Sequence, residues 1–153
     1  MTTPSQRLVE LGIELPPVAA PVAAYVPAVL DRGVVRTSGQ IPVEGGALAY
    51  AGAVGEQGTD PQDAKEAARL CALNALAAAA DLAGGVDRLA HVVKVTVFVA
   101  SLPDFTGQAG VANGASELYG EIFGSAHARS AVGVAVLPLG ASVEVEAEFA
   151  LAR

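Results

Sequence analysis

The chain of 153 residues carries 52% hydrophobic and only 16% charged residues, a net charge of −7, 17 glycines and no tryptophan. Such an apolar, charge-poor composition excludes intrinsic disorder, and the length suits one domain with a real core. The few cations (Arg32, Arg36, Lys65, Arg69, Arg88, Lys94, Arg129) are scattered, so the phosphate clamp of a nucleic-acid binder is not expected.

In chain order, residues 5–11 predict a short helix stopped by Gly12 and the Pro16-Pro17 pair. An extended, proline-spaced segment follows to about Tyr25. Strands are predicted over 26–30 and 34–41, joined by a turn at Asp31-Arg32-Gly33. Glu44-Gly45-Gly46 turns again, and 47–59 reads as glycine-spaced loop or weak strand. Asp60 caps the next helix, Pro61 opens it, and Gly84-Gly85 stops it after about Leu82. Its predicted apolar face is Ala64, Ala67, Ala68, Cys71, Ala75, Ala78 and Leu82, small enough for close approach to a sheet. A strand over 91–100 would put Val93, Val95, Val97 and Val99 on one face. A second helix should open at Pro103 or Asp104 and reach about Phe123. Two closing strands follow, 129–137 and 142–151, linked by Pro138-Leu139-Gly140. In the last, Val143, Val145, Ala147 and Phe149 alternate with Glu144, Glu146 and Glu148. Hairpins around two helices indicate an α+β layer pair.

Several chemistries drop out on residue type and spacing. The longest uncharged apolar stretch, Pro16–Leu30, contains Pro16, Pro17, Pro21 and Pro27 and falls short of the roughly 20 residues of a membrane span. No secretory leader is expected from the N-terminal pattern. The lone Cys71 permits no internal disulfide, which suits the cytoplasm, and on an alanine face it reads as a buried thiol. Cys71, His91 and His127 lack zinc-ligand spacing, so no metal is expected. The run Gly52–Gly58 fails as a phosphate loop, because its spacing is wrong and Glu56 and Asp60 repel anions; it reads as a flexible loop. Arg129 opens an otherwise apolar strand. Spacing alone favours an ion pair with Glu146 or Glu148, while a guanidinium fork gripping a substrate carboxylate is the functional alternative. High hydropathy with few surface charges points to an oligomer.

Thr37-Ser38-Gly39-Gln40-Ile41-Pro42, Val93-Lys94-Val95-Thr96-Val97-Phe98-Val99, Arg129-Ser130-Ala131-Val132, and Leu137-Pro138 with Val143-Glu144-Val145-Glu146-Ala147 supply the next clue. In order, and from about Tyr25 to Leu151, they resemble the RidA (YjgF-type) reactive intermediate deaminase family. The resemblance implies a chorismate-mutase-like α+β fold, a mixed sheet with two helices on one face. It also implies a homotrimer with sites in the three clefts between subunits. The whole chain, 1–153, is then one domain, with an extension at 1–24 and the family core at 25–151. The implied reaction is cofactor-independent hydrolysis of enamines and imines of the 2-aminoacrylate type to a 2-oxoacid and ammonia. Arg129 matches the family's carboxylate-binding arginine, Glu144 its water-positioning glutamate, Tyr25 its tyrosine before the first strand, and Gly39 the glycine whose backbone lines the cleft. His127 stands where the family has proline, and Ala131 where it has cysteine. The family's helix asparagine aligns with Ser116 or with Asn113, depending on the anchor chosen. The loop at 43–60 is longer than in short members. The expected partner is a small 2-imino or 2-oxo acid, with no nucleic acid or membrane. A non-catalytic carboxylate-binding protein using the same cleft is the alternative, and an endoribonuclease ranks below both.

Overall fold

Residues 1–21 and 24–153 are described by a computed structural model, so part of the segment expected to run extended to Tyr25 lies outside the described residues. Helix α1 (Pro4–Glu10) begins in a capping box: Gln6 N donates to Thr3 Oγ1 at 3.3 Å, and Thr3 N donates to Gln6 Oε1 at 2.9 Å. The helix buries Leu8. Ser5 clasps the Asp87 carboxylate through its backbone N–H (2.8 Å) and hydroxyl (2.6 Å), and Arg7 Nε donates to the Glu121 carbonyl at 2.9 Å. These contacts fasten the N-terminal segment to the helical side of the molecule.

Strands β1 (Ala28–Asp31) and β2 (Val34–Thr37) form the expected hairpin, with Arg32 (φ 49°) and Gly33 (φ 77°) both left-handed, as a two-residue turn of this hand requires. A small hairpin, β3 (Val43–Glu44) and β4 (Ala47–Leu48), lies outside the main sheet. Helix α2 (Pro61–Ala83) is bounded as the sequence predicts. The Asp60 carboxylate accepts from Gln62 N at 2.7 Å, and Gly84 ends the helix at φ 89°. Then come β5 (Leu89–Ala100), α3 (Gln108–Phe123), β6 (Ala128–Val134) and β7 (Val143–Leu151). The strand order is β1-β2-β7-β5-β6. Only β5 and β6, joined through α3, run parallel.

One face of the sheet carries Val35, Val95, Val97, Val99, Val143, Val145, Ala147 and Phe149, all buried under α2 and α3. The alanines of α2 permit this packing, and where α2 meets α3 a Cβ on Gly114 would overlap the Lys65 carbonyl. Two buried polar side chains of the helices are satisfied: Tyr119 donates to the Ala72 carbonyl at 2.8 Å, and Asn74 Nδ2 to the carbonyls of Ile41 (3.2 Å) and Val43 (3.0 Å). Neither helix covers the opposite face, which presents Arg36, Lys94, Thr96, Phe98, Glu144, Glu146 and Glu148.

Six expectations need correction. Strand β2 stops at Thr37 instead of running to 41, and beyond it Gln40 makes an isolated bridge to Val145. Register shifts in β5 between Leu89 and His91 and between Val92 and Lys94 turn Val92 inward and leave Val93 exposed. Leu82 is also exposed, one residue before the helix ends. Helix α3 starts at Gln108, because 103–107 form a turn in which Phe105 N donates to Leu102 O and Gln108 Nε2 to Phe105 O. Strand β6 stops at Val134. The loop at 52–58 is pinned, not free: buried Val54 exchanges backbone hydrogen bonds with Ala100 and Leu102, and Thr59 Oγ1 caps the carbonyls of Ala51 and Gly52.

Candidate functional site: two half-sites on opposite faces of the sheet

Arg129 lies beside Val95 in the parallel β5–β6 pair, so its side chain leaves the helix-covered face at the outer edge of the sheet. There α3 receives it. Arg129 Nη1 donates to Asn113 Oδ1 at 2.8 Å and to Ser116 Oγ at 3.2 Å. Asn113 and Ser116 are three residues apart on one helix, hence on one face, and both candidates for the helix position reach the arginine. His127 Nε2 lies 2.9 Å from the same Ser116 Oγ. Its ring stands edge-on to Tyr119, and burial, followed by the charge of Arg129, lowers its pKa below the ordinary imidazole value. Among the described residues Arg129 meets no carboxylate, so the ion pair favoured by spacing is absent. Glu148 instead pairs with Arg36 at 3.5 Å, and both Glu146 and Glu148 belong to the other face. The Nε–Nη2 edge of the guanidinium makes no hydrogen bond among those residues, and it is the edge that a carboxylate takes in a bidentate pair.

Glu144 lies across from Phe98 in the β5–β7 ladder and projects from the uncovered face. It is half-buried. That burial, and then the charge of Glu146, raise its pKa above the usual carboxylate range. Beside it the β2–β7 pairing slips. Arg36 pairs with Glu148 but Gln40 pairs with Val145, so β2 holds one residue more than β7 over this stretch. Such a bulge brings backbone close to a side chain. Gly39 sits in it, and a Cβ there would overlap the Glu144 carboxylate. Ser38 ties the bulge to the Tyr25 segment, its hydroxyl donating to the Val26 carbonyl at 2.6 Å and its N–H to Pro27 O at 2.8 Å. Tyr25 itself is exposed. No signal short of the bulge itself would have singled out Ser38 as this link.

The chain therefore gathers the sequence-selected residues into two groups, Arg129 with Asn113, Ser116 and His127, and Glu144 with Gly39 and the Tyr25 segment. The two groups occupy opposite faces. Cys71 belongs to neither. It is wholly buried, its thiol donates to the Val143 carbonyl at 3.5 Å, and burial pushes its pKa well up, so it is not a nucleophile. Among the described residues no group of three or more His, Cys, Asp or Glu is arranged to hold a metal ion, and no helix is long and apolar enough to cross a membrane.

A mixed sheet with two helices on one face, an arginine at its edge and a glutamate over a glycine bulge defines an α+β fold of the two-layer class. The chain belongs to the family described as Endoribonuclease L-PSP, the YjgF/RidA family, whose model matches residues 17–151. It is 45% identical over 144 residues to Protein TCP17 of Trypanosoma cruzi, covering 92% of this chain and 89% of that protein. The crystal structure of Atu1372 from Agrobacterium tumefaciens superposes with a TM-score of 0.87 at 42% identity, over 97% of this chain and 92% of that one. E. coli TdcF, solved with bound serine, superposes with a TM-score of 0.62 at 31% identity, over 91% and 94% of the two chains.

Proposed function

We propose that the protein is a cofactor-independent deaminase that hydrolyses 2-imino acids and their enamine tautomers to 2-oxoacids and ammonia. The observation that carries this reading is the pair of incomplete sites. Arg129 is oriented by neutral partners with one guanidinium edge unused, and Glu144 is a carboxylate without a cation among the described residues. Because they leave opposite faces of one sheet, a working cleft takes Arg129 from one copy and Glu144 from another. Arg129 binds the substrate carboxylate through two parallel hydrogen bonds and fixes the adjacent imine carbon. Glu144 accepts a hydrogen bond from water, aims it at that carbon and takes its proton as the C–O bond forms and the C=N π electrons pass to nitrogen; it returns that proton to the nitrogen as the C–N bond of the carbinolamine breaks, releasing ammonia and leaving the 2-oxoacid. Its raised pKa brings it closer to the basicity this step needs. Backbone at Gly39 and the Tyr25 ring close the cleft. A homotrimer with three such clefts, working in the cytoplasm, completes the proposal.

The test is to generate 2-iminobutanoate with a threonine dehydratase and follow its disappearance. Wild type accelerates the loss, and Arg129→Ala lowers kcat/KM by about a hundredfold or more, as loss of a charge-assisted bidentate pair and its orientation should. An Arg129→Ala protein as fast as wild type contradicts the assignment.

One observation favours a second reading. TdcF is solved with bound serine, an amino acid carrying a carboxylate, and on this reading the cleft of this chain binds such a molecule without turning it over. Stabilisation by 2-oxobutanoate without imine turnover selects that reading. The ribonuclease activity in the family's description fits this chain poorly, given a net charge of −7 and no clustered cations. RNA cleavage that persists through repurification would restore it.

A further inference from the structure

The deaminase reading needs Arg129 but leaves Ser116 and His127 without a task. Ser116 Oγ accepts from Arg129 Nη1 at 3.2 Å and lies 2.9 Å from His127 Nε2. A hydroxyl that accepts from a guanidinium still has its own proton to donate. Among the described residues the acceptor in reach is His127 Nε2. The relay then runs from Arg129 to Ser116 to His127, with the imidazole proton on Nδ1, a buried atom that has no partner among the described residues. Asn113 Oδ1 fixes the same Nη1 from one turn away. Two acceptors on one nitrogen set the plane of the guanidinium, and one of them is itself oriented by the histidine.

We propose that His127 is a positioning residue, which through Ser116 fixes the guanidinium of Arg129 so that its Nε–Nη2 edge faces an incoming carboxylate. The inference rests on the carboxylate-binding role of Arg129 and deepens it. It also gives carboxylate binding a proton linkage. When His127 is protonated, Nε2 donates to Ser116 Oγ and still holds the serine. An anion seated on Arg129 offsets the repulsion that Arg129 exerts on the imidazolium, so the bound state holds a proton on His127 more readily than the free state. By linkage, affinity then rises as pH falls from neutral through the imidazole range. The charged groups around the ring are few. Arg129 is on the same strand. On α3, Glu117 pairs with Lys65 of α2 at 3.1 Å and Glu121 is exposed. On β5, Lys94 lies opposite Ala128 and projects from the uncovered face. None is a carboxylate hydrogen-bonded to the ring.

The experiment is a titration of full-length protein with 2-oxobutanoate, by calorimetry between pH 5.5 and pH 8, on wild type, Arg129→Ala, His127→Leu and His127→Gln, with folding checked by thermal melting. Wild-type affinity should strengthen toward low pH with net proton uptake. His127→Leu should weaken binding about tenfold, since the serine loses its acceptor and the arginine one fixed contact. His127→Gln, which keeps an acceptor for Ser116 but does not titrate, should restore most of the affinity and still lack the proton uptake. Glu144 also titrates on the acid side, but it does so in all four proteins, so the component lost in His127→Gln belongs to the histidine. Unchanged affinity and proton uptake in both His127 variants, with binding abolished in Arg129→Ala, overturns this inference alone. Unchanged binding in Arg129→Ala overturns the carboxylate site beneath it.

Discussion

The two half-sites handle charge in different ways. At the edge of the sheet, Arg129 is a cation among uncharged acceptors: Asn113 and Ser116 share its Nη1, and burial, then the arginine itself, lowers the pKa of His127. On the uncovered face, Glu144 is an anion in a row of anions, spaced two residues from Glu146, with a glycine bulge pressed against its carboxylate. The first half orients a charge by hydrogen bonds and leaves one edge of it free. The second raises the energy of a charge by burial and repulsion. Among the described residues each lacks the opposite charge that would satisfy it, and the sheet keeps them apart within one chain. Under the proposed function, this difference lets a single sheet supply a binding group and a reactive group to separate clefts without the two neutralising each other.

The comparison can be broken at either half. Gly39→Ala strikes the glutamate half only. The added Cβ would overlap the Glu144 carboxylate, so the side chain must move, and kcat for 2-iminobutanoate should fall about tenfold or more while the affinity for 2-oxobutanoate changes little. Equal losses in both would mean that the two halves are not separable. Gly114→Ala strikes the arginine half through its support. Its Cβ meets the Lys65 backbone, α3 must shift from α2, and the native state should lose about 1–3 kcal/mol, read as a lower Tm. The same shift carries Asn113 and Ser116 with it, so KM should rise more than kcat falls. The smallest effect is on the pH profile. In the proposed reaction ionised Glu144 is the reactive form, and its pKa is raised by burial and by Glu146. The acid limb of kcat should therefore lie above the ordinary carboxylate range, and Glu146→Gln should move it to lower pH. An acid limb indifferent to Glu146→Gln would detach Glu144 from the reaction.

Much of this was legible in the sequence where a residue's effect is local. Asp60, Pro61 and Gly84 mark the ends of α2 because capping and left-handed glycine act within a turn, and the alternation of β7 shows which residues it buries. Features set by register between strands were hidden. The shifts in β5 that expose Val93, and the extra residue in β2 that presses Gly39 against Glu144, depend on partner strands and leave no mark on hydrophobic period. At the site, residue type selected Arg129, but spacing paired it with the wrong carboxylates, because sequence does not tell which face of a neighbouring strand an arginine joins. The choice between Asn113 and Ser116 could not be made by alignment for a geometric reason: at three residues' separation on a helix, both reach the same nitrogen.

The central claim, that each cleft joins Arg129 of one copy to Glu144 of another, is tested most directly by mixing two inactive variants. Arg129→Ala and Glu144→Gln are co-expressed with different tags, hetero-oligomers carrying both tags are purified, and hydrolysis of 2-iminobutanoate is measured per subunit. If clefts are shared between copies of the proposed trimer, each oligomer carrying both tags pairs an intact Arg129 with an intact Glu144 in one cleft of its three and restores about a third of wild-type activity. Activity no higher than the sum of the two inactive parents would place both residues in a cleft of one chain and contradict the account.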